Sequence, residues 1–508
     1  MKDRFDYKKA ALITIAIAIA IRLALVFLYH PAGDACWHFS ASRFIAEEGN
    51  LPSFEALGRD EPFWPSPLFH IIAAFSYRMA GDFGMKLVSP LFASLTLVFS
   101  YLIFKKLFDE KTSFYSILFL SFIPIGLDYS TFGYVEAALS FFVILSIYFA
   151  LEGSYYLAAV SAGLSMLTKY NGAFVIPLML FIAYTRHKGD NKAVFGSFSK
   201  IIIISAAIAA PWHIRNWLLL GNPVWPFLNF LFHGIQQASY SAFDLSRFLH
   251  PNVLIYPYLG FFGVPDGVLS NIFFIKLPFI KIIFAGWLLA TVIFTLPLAF
   301  GFFNRIDKDN ETKNNKEIKN KKKINNEKSI LIAWILFFLI QALIYIPNTG
   351  WSVSRFFLPA LPAIAAIWAV GILWIFNRTP KYSLVIKSLL IIIAVGFVFT
   401  AFFKISYAAN SWNKYNDDFG WIKENTEKNS AFIFGGQCGT YSINRQSYQP
   451  TEENIEKADY AFVNQEFPLD ARTKIDGSIL AEIEAKKLIY ENKNTGTKVY
   501  SLREKPSS

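Results

Sequence analysis

The ionisable residues in the long apolar runs of this chain are few, and most of them lie at the ends of those runs. The charged and titratable groups that share one set of ends are Asp34, Asp128, Glu136, Lys169, His213, Arg215 and Arg355. Carboxylates and histidines accept protons, while Lys and Arg bind phosphate through charge-assisted hydrogen bonds. Polar groups in apolar surroundings usually serve a function. This grouping therefore indicates a site for a charged headgroup near one face of a membrane.

The composition limits the class of protein. Of 508 residues, 54% are hydrophobic and only 17% are charged, against about 25% charged in typical soluble domains. Long apolar runs recur along the whole chain, which excludes a wholly soluble or disordered protein and indicates a polytopic membrane protein. The net charge of +11 does not indicate nucleic-acid binding, because much of the excess lies in one Lys-rich stretch and in short loops between apolar runs.

Eleven apolar runs are long enough, or nearly so, to cross a bilayer as helices, which takes about 20 residues. They are 10–29, 86–104, 112–127, 134–151, 154–169, 172–185, 199–215, 277–303, 329–346, 355–376 and 384–404. The first run lacks the small-residue cleavage site of a signal peptide and is predicted to be a span. The predicted fold is an all-α polytopic membrane domain over 1–404, with interfacial helices in two outer loops, 30–85 and 217–275.

The charges of the loops decide the predicted orientation. Nine Lys and Arg residues lie in 304–328, and a cytoplasmic N-terminus places this stretch in the cytoplasm. The short segment 67–80 would move the stretch outside if it crossed the membrane, so the positive-inside rule favours an interfacial helix there. We interpret 304–328 as a flexible cytoplasmic loop; the alternative is a contact for anionic lipid headgroups.

Residues 405–508 differ in character, because charged residues, Gly and Asn become common there. The pattern predicts a helix ending in 421–429, a buried strand in 431–436 and a hairpin over 488–502. We expect a small α/β domain on the extracytoplasmic side. The two cysteines, Cys36 and Cys438, would both lie outside and could form one disulfide, although two unrelated free thiols are the expectation.

Five segments match, in the same order, the motifs of one family of membrane enzymes. They are GDACWHFSASRFIAEEGNLP (33–52), PSPLFHIIAAF (65–75), LTKYNG (167–172), APWHIRNWLLLGNPVWPFLN (210–229) and RFFLPALPAIAA (355–366). Together they resemble the GT-C glycosyltransferases, in particular the dolichyl-phosphate-mannose protein mannosyltransferase group and its relatives, over about the first 405 residues. Two residues depart from the family pattern: Ala35 stands where most relatives have a second acidic residue, and Ser66 replaces a proline.

The resemblance implies an inverting sugar transfer, in which an acceptor nucleophile attacks the anomeric carbon and a polyprenyl phosphate leaves. Such a site needs a base for the acceptor and cations for the phosphate. Asp34 is the predicted catalytic base; alternatively, it only caps the helix predicted over 35–48. Glu61 and Glu136 are the other candidate carboxylates of the substrate site, or structural partners of nearby cations.

The other matched motifs supply the predicted contacts to the donor. Lys169, Arg215 and Arg355 are expected to bind the lipid phosphate, or alternatively to anchor the chain among the headgroups. Tyr170 and Asn216, their neighbours in the motifs, belong to the same predicted substrate site.

His38 follows Asp34 by about one helical turn, so both side chains share a helix face. His70 lies on the interfacial segment that is expected to pack nearby. The three residues could orient a substrate hydroxyl or bind a divalent cation such as Mg²⁺ or Mn²⁺, which is the one cofactor considered.

The sequence thus predicts a multi-pass enzyme of the cell membrane that transfers a sugar from a polyprenyl-phosphate donor to a protein, lipid or glycan on the outer face. A transporter or flippase for a lipid-linked or small anionic substrate is the alternative, but it should carry ionisable residues near mid-span, often in paired halves. A phosphotransferase of the outer face would need more metal ligands in its soluble part, and residues 405–508 contain no histidine.

Overall fold

The computed structural model describes residues 5–235, 258, 260–262, 278–303, 327–341, 354–434, 437–464 and 475–503. The chain separates into two units, which are considered in turn. The first comprises Met1–Leu23, Ser89–Ser130 and Val135–Ala401, and the second comprises Ala24–Val88, Thr131–Tyr134 and Phe402–Ser508. Most of the predicted basic loop 304–328 and much of the predicted outer loop 217–275 lie outside the described residues.

The described chain is mostly helical, as the apolar runs predict. The helices are α1 Tyr7–Val26, α2 Asp34–Glu48, α3 Leu68–Leu107, α4 Glu110–Phe122, α5 Pro124–Thr131, α6 Glu136–Glu152, α7 Tyr155–Thr168, α8 Val175–Arg186, α9 Asn191–Leu220, α10 Asn229–Phe232, α11 Pro278–Phe303, α12 327–341, α13 Leu361–Arg378, α14 Ser383–Asn413, α15 Asn416–Asn425, α16 Gln437–Ile443, α17 Glu452–Ile455 and α18 Gly477–Glu484. Short 3₁₀ turns at Tyr170–Phe174, Ser354–Ala360 and Pro380–Tyr382 lead into α8, α13 and α14.

Five stretches of the described chain are long and apolar enough to span a membrane. They are Tyr7–Val26, Leu68–Leu107, Asn191–Leu220, Ser354–Arg378 and Pro380–Asn413. A sixth is added if α4 and α5, which meet at a bend of 56°, form one broken span. A backbone in hydrocarbon must satisfy its own hydrogen bonds, which these helices do. Several helices long and apolar enough to span a membrane are therefore confirmed, while the total of eleven stays a prediction.

Helix α3 consists of two pieces, because Ala80 and Gly81 leave the helical conformation. Gly81 has φ 59°, a left-handed conformation that glycine adopts without strain. The predicted helix at 67–80 is thus confirmed as a separate helical piece, and its interfacial position remains a prediction.

Helix α9 extends beyond the predicted apolar run 199–215. It ends at Gly221, whose φ is 69° and whose N–H bonds to the carbonyl of Trp217. His213 and Arg215 therefore lie within the helix, and their position at the end of the membrane span stays a prediction. Neither Pro211 nor the two polar residues interrupt the helix.

Small residues allow the helices of the first unit to approach closely, as in other membrane helix pairs. Helix α11 packs on α13, and a Cβ built at Gly371 would lie only 1.7 Å from the carbonyl oxygen of Pro297. Helix α7 packs on α6 and α9, and a Cβ at Gly163 would lie 2.6 Å from Ile208. These two glycines set the spacing of the helices around them.

The second unit contains a five-stranded sheet. Its strands are β1 Ala431–Ile433, β2 Gln446–Tyr448, β3 Tyr460–Val463, β4 Lys487–Asn492 and β5 Thr497–Ser501. They lie in the order β2-β1-β3-β5-β4, with β1 parallel to β2 and β3, and β5 antiparallel to β3 and β4. The predicted strand at 431–436 is confirmed over Ala431–Ile433; Phe434 lies after the strand, and residues 435–436 lie outside the described residues. The predicted hairpin is confirmed as β4 and β5. The predicted helix before β1 is α15.

A buried carboxylate ties α15 to the hairpin of the sheet. Asp418 accepts hydrogen bonds from the hydroxyls of Tyr490, Thr495 and Thr497 and from the amide of Asn492, at 2.6–2.7 Å. The Asp418 side chain is fully buried. Buried carboxylates are tolerated when donors satisfy them, so this network is a structural element of the second unit.

A disulfide between Cys36 and Cys438 joins α2 to α16 within the second unit. The expectation of two free thiols is therefore wrong. The two cysteines are 402 positions apart, and neither spacing nor local pattern relates them. The loop after α2 also joins the sheet, since the N–H of Ser447 in β2 donates to Ala56 and the N–H of Gly58 donates to Ser447, both at 3.0 Å.

Candidate active site

Asp34, the predicted catalytic base, is the first residue of α2. The N-cap position belongs to Gly33, so the alternative that Asp34 caps this helix is wrong. Gly33 has φ 56°, and a Cβ there would lie 2.8 Å from the Tyr134 hydroxyl. Only glycine fits this close approach without strain. The Asp34 side chain stays 30% exposed, and a base must be accessible to its substrate.

Four side chains surround Asp34, and we call the five residues Asp34, Trp37, Arg59, Glu61 and Gln437 the Asp34 cluster. Arg59 pairs with Asp34 and, at 3.4 Å, with Glu61. The guanidinium lies 3.7 Å from the centre of the Trp37 ring. Gln437 accepts from Nε of Arg59 at 2.5 Å and donates to Asp34 at 3.5 Å. Asp34 is thus held in a fixed orientation.

The loop that carries Arg59 is anchored by its neighbour. Asp60 accepts from the backbone N–H of Gln449 at 3.1 Å and from the Asn454 amide at 2.7 Å. Burial raises the pKa of Asp60, while these two hydrogen bonds act in the opposite direction. The contact fixes the loop to the sheet and with it the position of Arg59.

The predicted ligands His38 and His70 lie together, but they bond to each other. Nδ1 of His38 is 2.9 Å from Nε2 of His70, and Nδ1 of His70 is 3.2 Å from the carbonyl of Ser66. The consistent tautomers have His70 donating to Ser66 and accepting from His38. Both nitrogens of His70 are then in use, so a metal at His70 would have to break this pairing.

No group of three or more His, Cys, Asp or Glu in the described part of the chain is placed to hold a metal ion. A cation shared by Asp34, His38 and His70 remains a prediction, and the His38–His70 bond does not support it. The two histidines are better suited to holding α2 against the start of α3.

Three predicted residues of the first unit come together around one carboxylate. We call Glu136, Lys169, Arg355 and Phe356 the Glu136 cluster. Oε1 of Glu136 lies 2.6 Å from Lys169 and 3.4 Å from Nε of Arg355. The Phe356 ring is 4.5 Å from the Lys169 ammonium. The Glu136 side chain is only 1% exposed, while each cation is 20% exposed.

The elements that meet at this cluster explain its geometry. Glu136 begins α6, where the helix dipole favours a negative charge. Lys169 follows the last residue of α7, and Arg355 lies in the 3₁₀ turn before α13. Two cations around one carboxylate leave a surplus of positive charge, which suits a phosphate.

Tyr170, Arg215 and Asn216 form a second polar group of the first unit. The Asn216 amide donates to the Tyr170 hydroxyl at 2.7 Å, and Arg215 donates to Asn216 at 2.9 Å. The Arg215 guanidinium lies 4.5 Å from the centre of the Trp212 ring. The structure thus brings together the residues of two motifs that are far apart in the sequence.

Three residues of the Asp34 cluster, Trp37, Arg59 and Gln437, were not predicted from the sequence, nor was the disulfide beside it. The run Arg59-Asp60-Glu61 in an aromatic loop is a signal from which Arg59 could have been predicted. Gln437 carries no signal, because it lies 403 positions from Asp34.

Residues 60–214 match the sequence profile of the family described as dolichyl-phosphate-mannose-protein mannosyltransferase. This range includes Glu61, His70, Glu136, Lys169 and Tyr170; Asp34, Arg215, Asn216 and Arg355 lie outside it. No curated protein matches the chain at a significant level.

Solved structures share the fold. ArnT from Cupriavidus metallidurans bound to undecaprenyl phosphate superposes with a TM-score of 0.63 at 11% identity, covering 97% of this chain and 98% of that chain. The oligosaccharyltransferase of Archaeoglobus fulgidus, in complex with zinc and sulfate, gives a TM-score of 0.52 at 12% identity, covering 89% and 68%. The arabinofuranosyltransferase AftD from mycobacteria gives 0.51 at 11% identity, covering 97% and 40%.

These findings confirm the resemblance that the five motifs predicted. Residues 60–214 are similar to a glycosyltransferase family that is named for a sugar donor linked to a lipid phosphate. The structural similarity shows the GT-C fold.

Proposed function

We propose that the protein transfers a sugar, with inversion, from a polyprenyl-phosphate donor to an acceptor on the outer face of the membrane. The acceptor is a protein, a lipid or a growing glycan. The family match to enzymes named for dolichyl-phosphate-mannose supports the donor class, and the undecaprenyl phosphate bound by the ArnT structure supports the same lipid class.

The main observation behind the proposal is that the Asp34 carboxylate is both partly exposed and held in a fixed orientation. The carboxylate is exposed enough to meet an acceptor, and Arg59 and Gln437 hold it in place. In the proposed step, Asp34 takes the proton of the acceptor hydroxyl or amine. The acceptor atom then forms a bond to the anomeric carbon, and the bond from that carbon to the phosphate oxygen breaks. The phosphate leaves with the electron pair.

The Glu136 cluster supplies the second requirement, because the leaving phosphate gains charge as the bond breaks. Lys169 and Arg355 bind that charge, and the guanidinium of Arg355 can donate two parallel hydrogen bonds. Tyr170, Arg215 and Asn216 extend the phosphate site from the neighbouring turn. His38 and His70 hold α2, and Glu61 shares Arg59 with the base.

The disulfide supports an extracytoplasmic site. Disulfides persist in oxidising compartments and are rare in the cytoplasm, so Cys36 and Cys438 favour placing α2 and α16 outside. The positive-inside rule gives the same orientation, with residues 304–328 in the cytoplasm. A single cysteine introduced near Ser478 should react with an impermeant maleimide on intact cells, and one at Asn315 should not. The opposite labelling would reverse the orientation and exclude an outer-face reaction.

Turnover of a defined donor tests the function itself. Purified protein in vesicles should convert a polyprenyl-phosphate sugar and a cell-envelope acceptor fraction to glycosylated product and free polyprenyl phosphate. Asp34→Asn protein serves as the inactive control. A transporter or flippase would instead move the labelled donor across the vesicle membrane without releasing free polyprenyl phosphate. Glycan mass spectrometry of cells that lack the gene would then identify the acceptor that loses its sugar.

A further inference from the structure

Arg22 is a charged residue inside the first membrane-spanning helix. It lies one turn before the end of α1, in a run that is otherwise apolar, and its residue surface is only 2% exposed. An ionisable residue buried within a span usually faces a partner or a ligand. A lone arginine in an apolar run is also visible in the sequence as a candidate functional residue.

The hydrogen bonds of Arg22 do not neutralise its charge. Nη1 donates to the carbonyl of Ala18 and Nη2 to the carbonyl of Ser121, each at 3.1 Å. Within the described ranges, Nε of Arg22 has no hydrogen-bond partner and no carboxylate forms an ion pair with the guanidinium. Carbonyl oxygens satisfy donors but carry no net charge, so no described residue compensates the positive charge.

Arg22 lines a cavity of about 50 Å³ in the first unit. The polar residues that line the cavity with it are Thr96, Tyr129, Ser130 and Ser140. Thr96 and Ser130 donate their hydroxyl protons to backbone carbonyls of their own helices. The buried Ser140 hydroxyl has no partner among the described residues. Two buried donors that lack an acceptor, Nε of Arg22 and the Ser140 hydroxyl, therefore line one cavity.

The free-energy cost of burying an uncompensated charge indicates that a counter-charge binds in this cavity. A buried charge without a counter-charge is strongly unfavourable, whereas a paired one is tolerated. A water molecule could accept the two hydrogen bonds, but it would leave the charge uncompensated. The volume exceeds the roughly 10–15 Å³ that one water needs and suits a single small group.

We propose that this cavity binds one small oxyanion, of the phosphate class, against Arg22 and Ser140. The group is either free inorganic phosphate or the phosphate of a phospholipid headgroup. The cavity is lined by no member of the Asp34 cluster or the Glu136 cluster, so the proposal stands apart from the proposed sugar transfer. The bound anion compensates the charge and holds α1 against α4, α5 and α6.

The test uses purified full-length protein in zwitterionic detergent, freed of lipid, and follows its melting temperature. Two probes are added separately at constant ionic strength: inorganic phosphate, and phosphatidylglycerol with phosphatidylcholine as its uncharged match. Saturation of a site that exists only in the folded state should raise the melting temperature by about 2–5 °C. A response to phosphate identifies a free anion, and a response only to phosphatidylglycerol identifies a headgroup.

The variants locate the response. Arg22→Met keeps an apolar side chain of similar length and should abolish the rise, while Arg378→Met, at the exposed end of α13, should leave it intact. Ser140→Ala retains the charge and should weaken the half-saturating concentration about three- to tenfold; it serves also if Arg22→Met fails to fold. An unresponsive wild type, or an equal rise in Arg22→Met, would overturn the proposal and leave water as the occupant.

Discussion

Asp34 and Glu136 are both the first residue of a helix, and both pair with an arginine, yet their clusters have opposite charge. In the Asp34 cluster one arginine, Arg59, lies between two carboxylates. In the Glu136 cluster one carboxylate lies between two cations, Lys169 and Arg355. The formal charge of the first cluster is therefore negative, and that of the second is positive.

The two clusters also differ in which of their side chains are exposed. The Asp34 side chain is 30% exposed and can reach a substrate, whereas Glu136 is buried beneath its two cations, which retain the exposed surface. The accessible group in one cluster is a proton acceptor, and in the other it is a cation. A glycosyl transfer needs a base at the acceptor and positive charge at the leaving phosphate. In the proposed reaction the same residue types would take two different roles, because burial decides which of them is accessible.

Of the variants that test this comparison, Asp34→Asn should lower the rate of sugar transfer the most. The amide keeps the shape of the side chain but cannot accept the acceptor's proton, and a general base is typically worth 10²–10⁴-fold in rate. We expect a folded protein that binds donor normally and whose kcat is at least about a hundredfold lower. The measurements are kcat at saturating donor, donor binding and the melting temperature.

Glu61→Gln is the control for Asp34→Asn, since it neutralises the other carboxylate that pairs with Arg59. Its kcat should fall far less. If Asp34→Asn retains near-normal transfer, Asp34 is a structural partner of Arg59, and the base must be sought at Glu61 or Glu136.

Lys169→Ala and Arg355→Ala should each lower kcat/KM for the donor by about tenfold or more. Each variant removes a charge-assisted contact, which is worth about 1.5–3 kcal/mol. The control is Lys106→Ala, which breaks an ion pair with Glu152 on an exposed surface and should leave donor use unchanged. Normal donor kinetics in both variants would make these residues membrane anchors.

Features that depend on a local sequence pattern, or on the order of motifs along the chain, could be predicted from the sequence. Hydrophobic runs located the helices, alternation located the hairpin at 488–502, and the order of five motifs indicated the family. Lys169 and Arg355 could be selected because each stands at the edge of an apolar run. Their common partner Glu136 was named as a candidate, but burial alone shows that it lies beneath them.

Contacts between distant segments could not be predicted. The bond between Gln437 and Asp34 and the disulfide between Cys36 and Cys438 both span about 400 positions, and nothing in local periodicity relates such residues. The alternative role of Asp34 as a helix cap is also wrong, although an Asp after a Gly resembles a cap in sequence. Here Gly33 takes that position, since its backbone must pass close to Tyr134.

Glu136→Gln should make the melting temperature of the protein depend more strongly on bound donor than it does in the wild type. Removing the carboxylate takes a shared ion-pair partner from two partly buried cations, which should destabilise the fold by roughly 1–3 kcal/mol after allowance for their partial exposure. The anionic donor would restore the missing charge. We therefore expect a lower melting temperature in the absence of donor and a larger rise on donor binding than in the wild type.

The control for Glu136→Gln is Glu152→Gln, which removes the exposed partner of Lys106 and should change neither quantity. Loss of stability without a larger response to donor would mean that the donor phosphate does not bind at Lys169 and Arg355.

Gln437→Ala should lower kcat the least. It tests whether the Asp34 cluster depends on the C-terminal part of the chain. The variant removes one hydrogen bond to Arg59 and a longer one to Asp34, worth together about 0.5–1.5 kcal/mol. We expect kcat to fall about three- to tenfold with an unchanged donor KM, because Gln437 positions Asp34 and does not touch the donor. In the Asp34→Asn background the same change should cause no further loss, since the effects of residues that act through one group are not additive.

Gln449→Ala is the control, because Gln449 bonds to the Asp60 loop through its backbone. Replacing Cys36 and Cys438 together with serine should give a similar partial loss, and the double variant should be insensitive to reductant, whereas the wild type should lose activity on reduction. If Gln437→Ala lowers kcat equally in both backgrounds, its role is the general stability of the fold and not the orientation of the base.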